Sequence, residues 1–158
     1  MSDQLVKHQL VKHQLVKHAD GLHALVDFFE TLTQASITRI DTIYSADAFF
    51  KDPFNEVRGR AEITRIFQHM FVQVNAPRFV VTTQLLQDDQ AFLTWDFHFR
   101  MKRFSTEEQC IRGATHVRFD TAGQVCLHRD YWDAAEELYE KLPVLGSLMR
   151  WLKRAGKN

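Results

Sequence analysis

Residues 128–133 read His-Arg-Asp-Tyr-Trp-Asp, and an Asp-Phe-His triplet stands at 96–98. Both lie in stretches that alternate like strands, where residues two apart share a face. Asp96 and His98 therefore share one face of their strand, and His128, Asp130 and Trp132 share one face of theirs. Should the two faces meet, two imidazoles and two carboxylates converge beside an indole. Such groups are costly in a core and suited to proton transfer, which asks for a carboxylate or imidazole whose pKa is moved toward neutrality. Burial among apolar groups raises a carboxylate's pKa and a neighbouring cation lowers it.

Each residue also has a plainer reading. Asp130 could form a cross-strand salt bridge with Arg112 or Arg129, but Trp132 on its face favours a pocket, because a large aromatic seeks burial. Asp52 sits among Phe49, Phe50 and Phe54, a setting that desolvates a carboxylate; the alternative is a strand-end side chain capping the following turn. Trp95, Phe97 and Phe99 alternate with Asp96 and His98, so one face there is apolar and the other polar. Periodicity does not choose which of them meets the core. The Asp-x-His and His-x-Asp pairs would also supply a facial ligand set for Fe or Zn.

The elements that must position these groups can be traced along the chain. Its 158 residues fit one domain with a sizeable core. Acidic and basic residues balance at 20 each, which leaves no electrostatic footprint for nucleic acid. Cys110 and Cys126 fall in different predicted strands without metal-ligand spacing, as in a reducing compartment. No apolar run is long enough to span a bilayer. The N-terminus shows no apolar segment with a small-residue cleavage site, so a cytoplasmic location is expected.

Gln-Leu-Val-Lys-His occurs three times in tandem, at 4–8, 9–13 and 14–18. On a helix each copy turns about 140° from the last, so the Leu-Val pairs scatter around the axis and His8, His13 and His18 do not align as ligands. Residues 1–19 are read as a repetitive extension. The domain proper is expected over 20–133. Leu22, Leu25, Val26, Phe29 and Leu32 follow helical spacing, and Ile37, Ile40, Ile43 and Tyr44 repeat it. A short strand at 48–52 stops at Pro53. Gly59 opens a helix that Pro77 closes. Strands are predicted at 78–87, 90–103, 109–120 and 124–132, with turns at Asp88-Asp89 and Thr121-Ala122-Gly123. Residues 134–158 are read as a helical extension: Ala134 to Leu142, then a helix opened by Pro143. That helix pairs a stripe of Leu145, Leu148, Met149 and Leu152 with Arg150, Lys153, Arg154 and Lys157, and packing against the domain or a second subunit is preferred over a membrane surface. Helices first and an antiparallel sheet afterwards make an α+β domain.

The stretch from Tyr44 to Phe54, with Asp52-Pro53, followed by Arg58-Gly59-Arg60 and a helix, resembles ketosteroid isomerases of the nuclear transport factor 2-like superfamily, and especially its SnoaL-like branch. Arg118-Phe119-Asp120, Gly123 and Tyr131-Trp132 continue the frame. The resemblance implies a cone in which a strongly bent antiparallel sheet wraps the N-terminal helices around an internal pocket. It matches Asp52 to a general base that precedes the proline. Phe28 stands where the isomerases have an oxyanion-hole Tyr, and Thr115 where they have a protonated Asp. Loss of one oxyanion donor typically costs about 10²–10³ in rate, so steroid isomerisation by that route is not expected. Leu127 to Asp133 resembles the last strand of limonene epoxide hydrolases, where the Asp matching Asp130 works with an Arg-x-Asp pair near the position of Asp96-Phe97-His98. The Arg is absent.

The expected protein is a SnoaL-like α+β domain that binds a small, partly apolar organic molecule. Catalysis, if present, is cofactor-free acid–base isomerisation, cyclisation or hydrolysis; the alternative is a ligand-binding or scaffold protein of the same fold. Asp130, His128, His98 and Asp52 are the candidate catalytic residues. Asp96, Thr115, Trp132, Tyr44 and Phe28 are candidate binding residues. Neither metal nor cofactor is expected. A homodimer through the sheet is, because an exposed apolar sheet face is unusual in a monomer.

Overall fold

The computed structural model describes residues 2–102 and 107–137. Helix α1 (Ser2–Glu30) leads through a 3₁₀ turn (Ala35–Arg39) and the short α2 (Ile40–Ile43) into β1 (Tyr44–Lys51) and β2 (Glu56–Arg58). Then come α3 (Arg60–Gln73), β3 (Val74–Gln87), β4 (Gln90–Met101), β5 (Glu108–Phe119), β6 (Val125–Tyr131) and α4 (Ala134–Glu137). The expectations for residues 138–158 lie outside the described residues.

The six strands form one curled, unclosed sheet in the order β2-β1-β6-β5-β4-β3. All neighbours are antiparallel except β1 and β6, which pair in parallel with Phe50 opposite His128. The helical spacing read through Tyr44 ends one residue early, because Tyr44 already belongs to β1. The helix expected to run to Pro77 stops at Gln73, and Pro77 instead lies within β3. That strand is at the sheet edge, where a missing N–H is tolerated.

The concave side is filled by aromatic and aliphatic side chains. Leu25, Phe28 and Phe29 of α1 and Ile63 and Phe67 of α3 meet Phe50, Leu93, Trp95, Phe99, Val117 and Phe119 of the sheet. Each such side chain contributes about 1.5–3 kcal/mol on burial. The turn between β5 and β6 fixes the position of α1. Gly123 has φ +83°, and its carbonyl oxygen would lie 2.1 Å from a Cβ at Gly21, so helix and turn touch through backbone.

The helix α1 runs unbroken through all three copies of the repeat. Leu5, Val6, Leu10, Val11, Leu15 and Val16 are all at least 40% exposed, as the scatter of a five-residue period on a helix requires. The last residue of the third copy behaves differently. His18 is buried, its Nδ1 lies 2.8 Å from the Asp88 carbonyl oxygen, and its ring stacks on Phe119 at 6.0 Å.

Candidate functional site

The alternation of β4 resolves with the aromatics inward. Trp95 and Phe99 are buried and Phe97 packs against the core, while Asp96 and His98 are half-buried on the opposite, outer face. Asp96 is in register with Arg112, and His98 with Cys110. The structure therefore does not bring Asp96 and His98 to Asp130; the two polar faces lie on opposite sides of the sheet. The inward aromatics need burial more than the two polar groups do, and the Trp95 indole finds a hydrogen-bond acceptor inside.

That acceptor begins a chain of hydrogen bonds toward Asp130. Trp95 Nε1 donates to Thr115 Oγ1 at 2.8 Å, and Thr115 Oγ1 donates to Asp130 Oδ1 at 2.5 Å. From the other side, His128 Nε2 lies 2.8 Å from Asp130 Oδ1, and Tyr44 Oη lies 2.9 Å from His128 Nδ1. Register explains the meeting, because Thr115 stands directly opposite Asp130 on β5 and β6. With Asp130 a carboxylate, which only accepts, Nε2 of a neutral His128 must carry its proton, so Nδ1 accepts from the Tyr44 hydroxyl. The indole N–H, the Thr115 hydroxyl, both imidazole nitrogens and the Tyr44 hydroxyl are then each engaged in this chain.

Packing holds the groups still. Tyr44, Thr115 and His128 are fully buried. Phe50 stacks on the His128 ring at 4.6 Å and Phe29 meets it edge-on at 5.8 Å. Burial, and after it the Asp130 carboxylate, push the Tyr44 phenol well above its ordinary pKa. Tyr44 is thus kept as a neutral hydroxyl. The Asp130 side chain keeps 17% of its surface exposed. Both of its bonds fall on Oδ1, and Oδ2 has no hydrogen-bond partner among the described residues.

Asp130 opens onto a cleft of about 540 Å³ at the end of β1 and β6, lined by Lys51, Asp52, Pro53, Arg129, Asp130, Tyr131, Trp132 and Asp133. Asp52, Asp130 and Trp132 thus share one cleft. The Trp132 ring packs edge-on against Phe54 at 5.4 Å. Asp52 is committed to the turn that follows it. Its Oδ1 accepts from the backbone N–H of Phe54 at 2.7 Å and of Asn55 at 2.6 Å, and the Asn55 amide bridges both oxygens. Phe28 lies deeper, fully buried and edge-on to Phe67 at 5.4 Å.

Two residues of the site, Trp95 and Gly113, are not among the site residues expected from the sequence. Trp95 acts through its indole N–H. Gly113 stands opposite Trp95 on β5, and a Cβ there would come within 2.4 Å of the indole ring. The glycine leaves the space in which the indole lies. A strand glycine facing a tryptophan was the available signal.

A curled sheet wrapped on helices, with its polar groups gathered toward one end, is the nuclear transport factor 2-like architecture. The chain belongs to the SnoaL-like domain family, whose model matches residues 25–128. Among solved structures, a protein from Jannaschia sp. CCS1 assigned as a SnoaL-like polyketide cyclase superposes with TM-score 0.67 at 12% identity, over 77% of this chain and 88% of that one. A protein with a ketosteroid isomerase-like fold from Catenulispora acidiphila, in complex with trimethylamine, gives 0.64 at 14% identity over 75% and 88%. A limonene epoxide hydrolase-like epoxide hydrolase of M. tuberculosis gives 0.62 at 12% over 77% and 86%. At these identities the likeness establishes the fold. No curated protein sequence matches the chain.

Proposed function

We propose that this chain is a cofactor-free acid–base catalyst that binds a small, partly apolar organic molecule at the Asp130 cleft and moves a proton on it, as isomerisation or cyclisation requires. The observation that carries this reading is the hydrogen-bond chain converging on Oδ1 of Asp130, a residue that lines the cleft, so that the carboxylate is held in place with its second oxygen unengaged among the described residues. Asp130 is the base that takes the proton and the acid that returns it. His128 orients it and supports its charge, with Tyr44 donating to the far imidazole nitrogen and holding the ring. Thr115 and Trp95 are positioning residues. Trp132 supplies an apolar wall, and Asp52 holds the turn whose Phe54 packs against it. His98 has no part in this site. Epoxide hydrolysis with paired carboxylates is less well supported, because the inward positions beside Asp96 are Trp95 and Phe97.

A cytoplasmic location is part of the proposal; among the described residues no helix is long and apolar enough to cross a membrane. Leu85, Phe92 and Tyr131 are about half or more exposed, and Leu85 pairs with Phe92 on the outer sheet face. A homodimer through that face would cover them.

The test is hydrogen exchange at carbon. The protein is incubated in D₂O with a panel of small ketones and β-dicarbonyl compounds, and deuterium uptake is read by mass spectrometry. Uptake that depends on the wild-type chain and is lost in Asp130→Asn supports the proposal. Equal uptake in the variant overturns it, and so does a compound that binds the wild type without any exchange.

A further inference from the structure

The outer face of β4 and β5 carries a second group of chemistry-bearing side chains, unconnected with the cleft. One ligand atom each of Asp96, His98 and Cys110 lies within 4.8 Å of the other two. The arrangement follows from the strands: Asp96 and His98 are two apart on β4, and Cys110 is the cross-strand partner of His98. All three are half-buried. Arg112 stands opposite Asp96 and Arg78 opposite His98 in the register. The Asp96 carboxylate nevertheless has no hydrogen bond or ion pair among the described residues. Both oxygens of this half-buried carboxylate are therefore open to a cation.

We propose that Asp96, His98 and Cys110 form a binding site for a divalent transition-metal ion of the zinc class. The family resemblance points away from a metal, and the sequence offers Asp-x-His and His-x-Asp only as one cavity set; the structure separates those pairs and places a thiol beside the first. One oxygen, one nitrogen and one sulfur donor suit zinc, which takes carboxylate, imidazole and thiolate in a tetrahedron and leaves a fourth position for water. Ligand-to-ligand edges in such a tetrahedron are about 3.4–3.7 Å, so side-chain movements of about 1 Å close the set. Glu108 Oε2 lies 4.0 Å from His98 Nδ1, so a side-chain movement of about 1 Å would let it accept that ring proton when the other nitrogen holds the ion. The bound ion ties β4 to β5 and keeps the Cys110 sulfur as thiolate.

The experiment uses the full chain carrying His8→Ala and His13→Ala, which removes two exposed imidazoles of the repeat as competing ligands. Co²⁺ is titrated first and Zn²⁺ then displaces it. Expected are saturation at one ion per chain, a thiolate-to-cobalt charge-transfer band in the near ultraviolet that Zn²⁺ clears, and a Zn²⁺-dependent rise in melting temperature. Cys110→Ser should lose the band, and Asp96→Asn should weaken affinity about tenfold or more. Absence of the band in the parent chain overturns the proposal, as does a band that survives in Cys110→Ser. Should Cys110→Ser fail to fold, Asp96→Asn decides: unchanged Co²⁺ affinity there is also fatal. None of these readouts depends on activity at Asp130.

Discussion

Tyr44 and His128, 84 residues apart in sequence, meet with the phenol oxygen 2.9 Å from Nδ1. The contact joins the first residue of β1 to the middle of β6, two strands that run parallel. It makes the candidate base sensitive to a residue that never reaches the cleft. Tyr44 donates to the imidazole and holds its ring, the imidazole donates to Asp130, and Asp130 alone of the three is partly exposed.

Asp130→Asn should therefore separate chemistry from folding. The amide oxygen still accepts from Thr115 and His128, so the melting temperature should change by only a few degrees. Proton exchange on a responsive substrate should fall by about 10²–10⁴, the usual worth of a general acid–base group. A collapse in melting temperature would instead mark Asp130 as a structural ion-pair partner.

Tyr44 makes stability depend on alkaline pH. Its folded phenol pKa is raised, first by burial and second by Asp130. The stabilisation is complete below the ordinary phenol value of about 10 and is lost as pH rises toward the folded value. In that range the unfolded chain releases the proton while the folded chain keeps it, at about 1.4 kcal/mol per pH unit. Tyr44→Phe lacks this loss. It should be less stable than wild type at pH 8 by about 1–3 kcal/mol, because His128 Nδ1 is left unsatisfied, and the gap should narrow above pH 10. Parallel melting curves across pH 8–11 would contradict the assignment.

The sharing of one face by His128 and Asp130 could be read from their spacing, and so could the strands around them, because side-chain alternation is a local property. The inward choice of β4 could not. It depends on the Trp95 indole finding Thr115 on the next strand and on Gly113 leaving room for it, both contacts between strands. For Asp52 the sequence offers two readings, a desolvated carboxylate and a strand-end side chain capping the following turn, and the bonds to Phe54 and Asn55 are those of the second. Strand β2 spans only Glu56–Arg58 and is too short to show a period. The family resemblance bears on the fold and on the inner face of the sheet; it carries no information about the outer face.

The repeat divides within its third copy. Residues 4–13 lie on a helix whose side chains are exposed throughout, and their deletion should leave the melting temperature within about 1 °C, a surface change of a few tenths of a kcal/mol. A deletion extended through His18 also removes the Asp88 contact and the Phe119 stack. Loss of about 1–2 kcal/mol should lower the midpoint by about 2–8 °C. Equal midpoints for the two truncations would show that His18 docking contributes nothing.

Assembly can be tested at Phe92, which is 51% exposed and stacks on His116 at 4.5 Å on the outer face. Two copies joined across this face would bury Phe92 near the centre of an isologous contact. Wild type should sediment as a dimer at micromolar concentration, and Phe92→Lys as a folded monomer. A wild-type monomer would remove the dimer and leave the cleft chemistry untouched.

Gly113→Ala probes the positioning chain from outside the cleft. An alanine Cβ would stand 2.4 Å from the Trp95 indole, so the ring must move. Moving it breaks the bond to Thr115 and leaves a buried N–H, a cost of about 1–3 kcal/mol on top of the overpacking. Thr115 then loses the donor that holds its hydroxyl toward Asp130. Thr115→Val removes the same link without forcing the indole, so the two variants separate crowding from connectivity. Both should slow proton exchange on a responsive substrate while leaving its affinity nearly unchanged, because neither residue lines the cleft. Trp95 fluorescence should shift in Gly113→Ala, where the ring is displaced. If Thr115→Val exchanges protons at the wild-type rate, the chain from Trp95 to Asp130 serves stability alone.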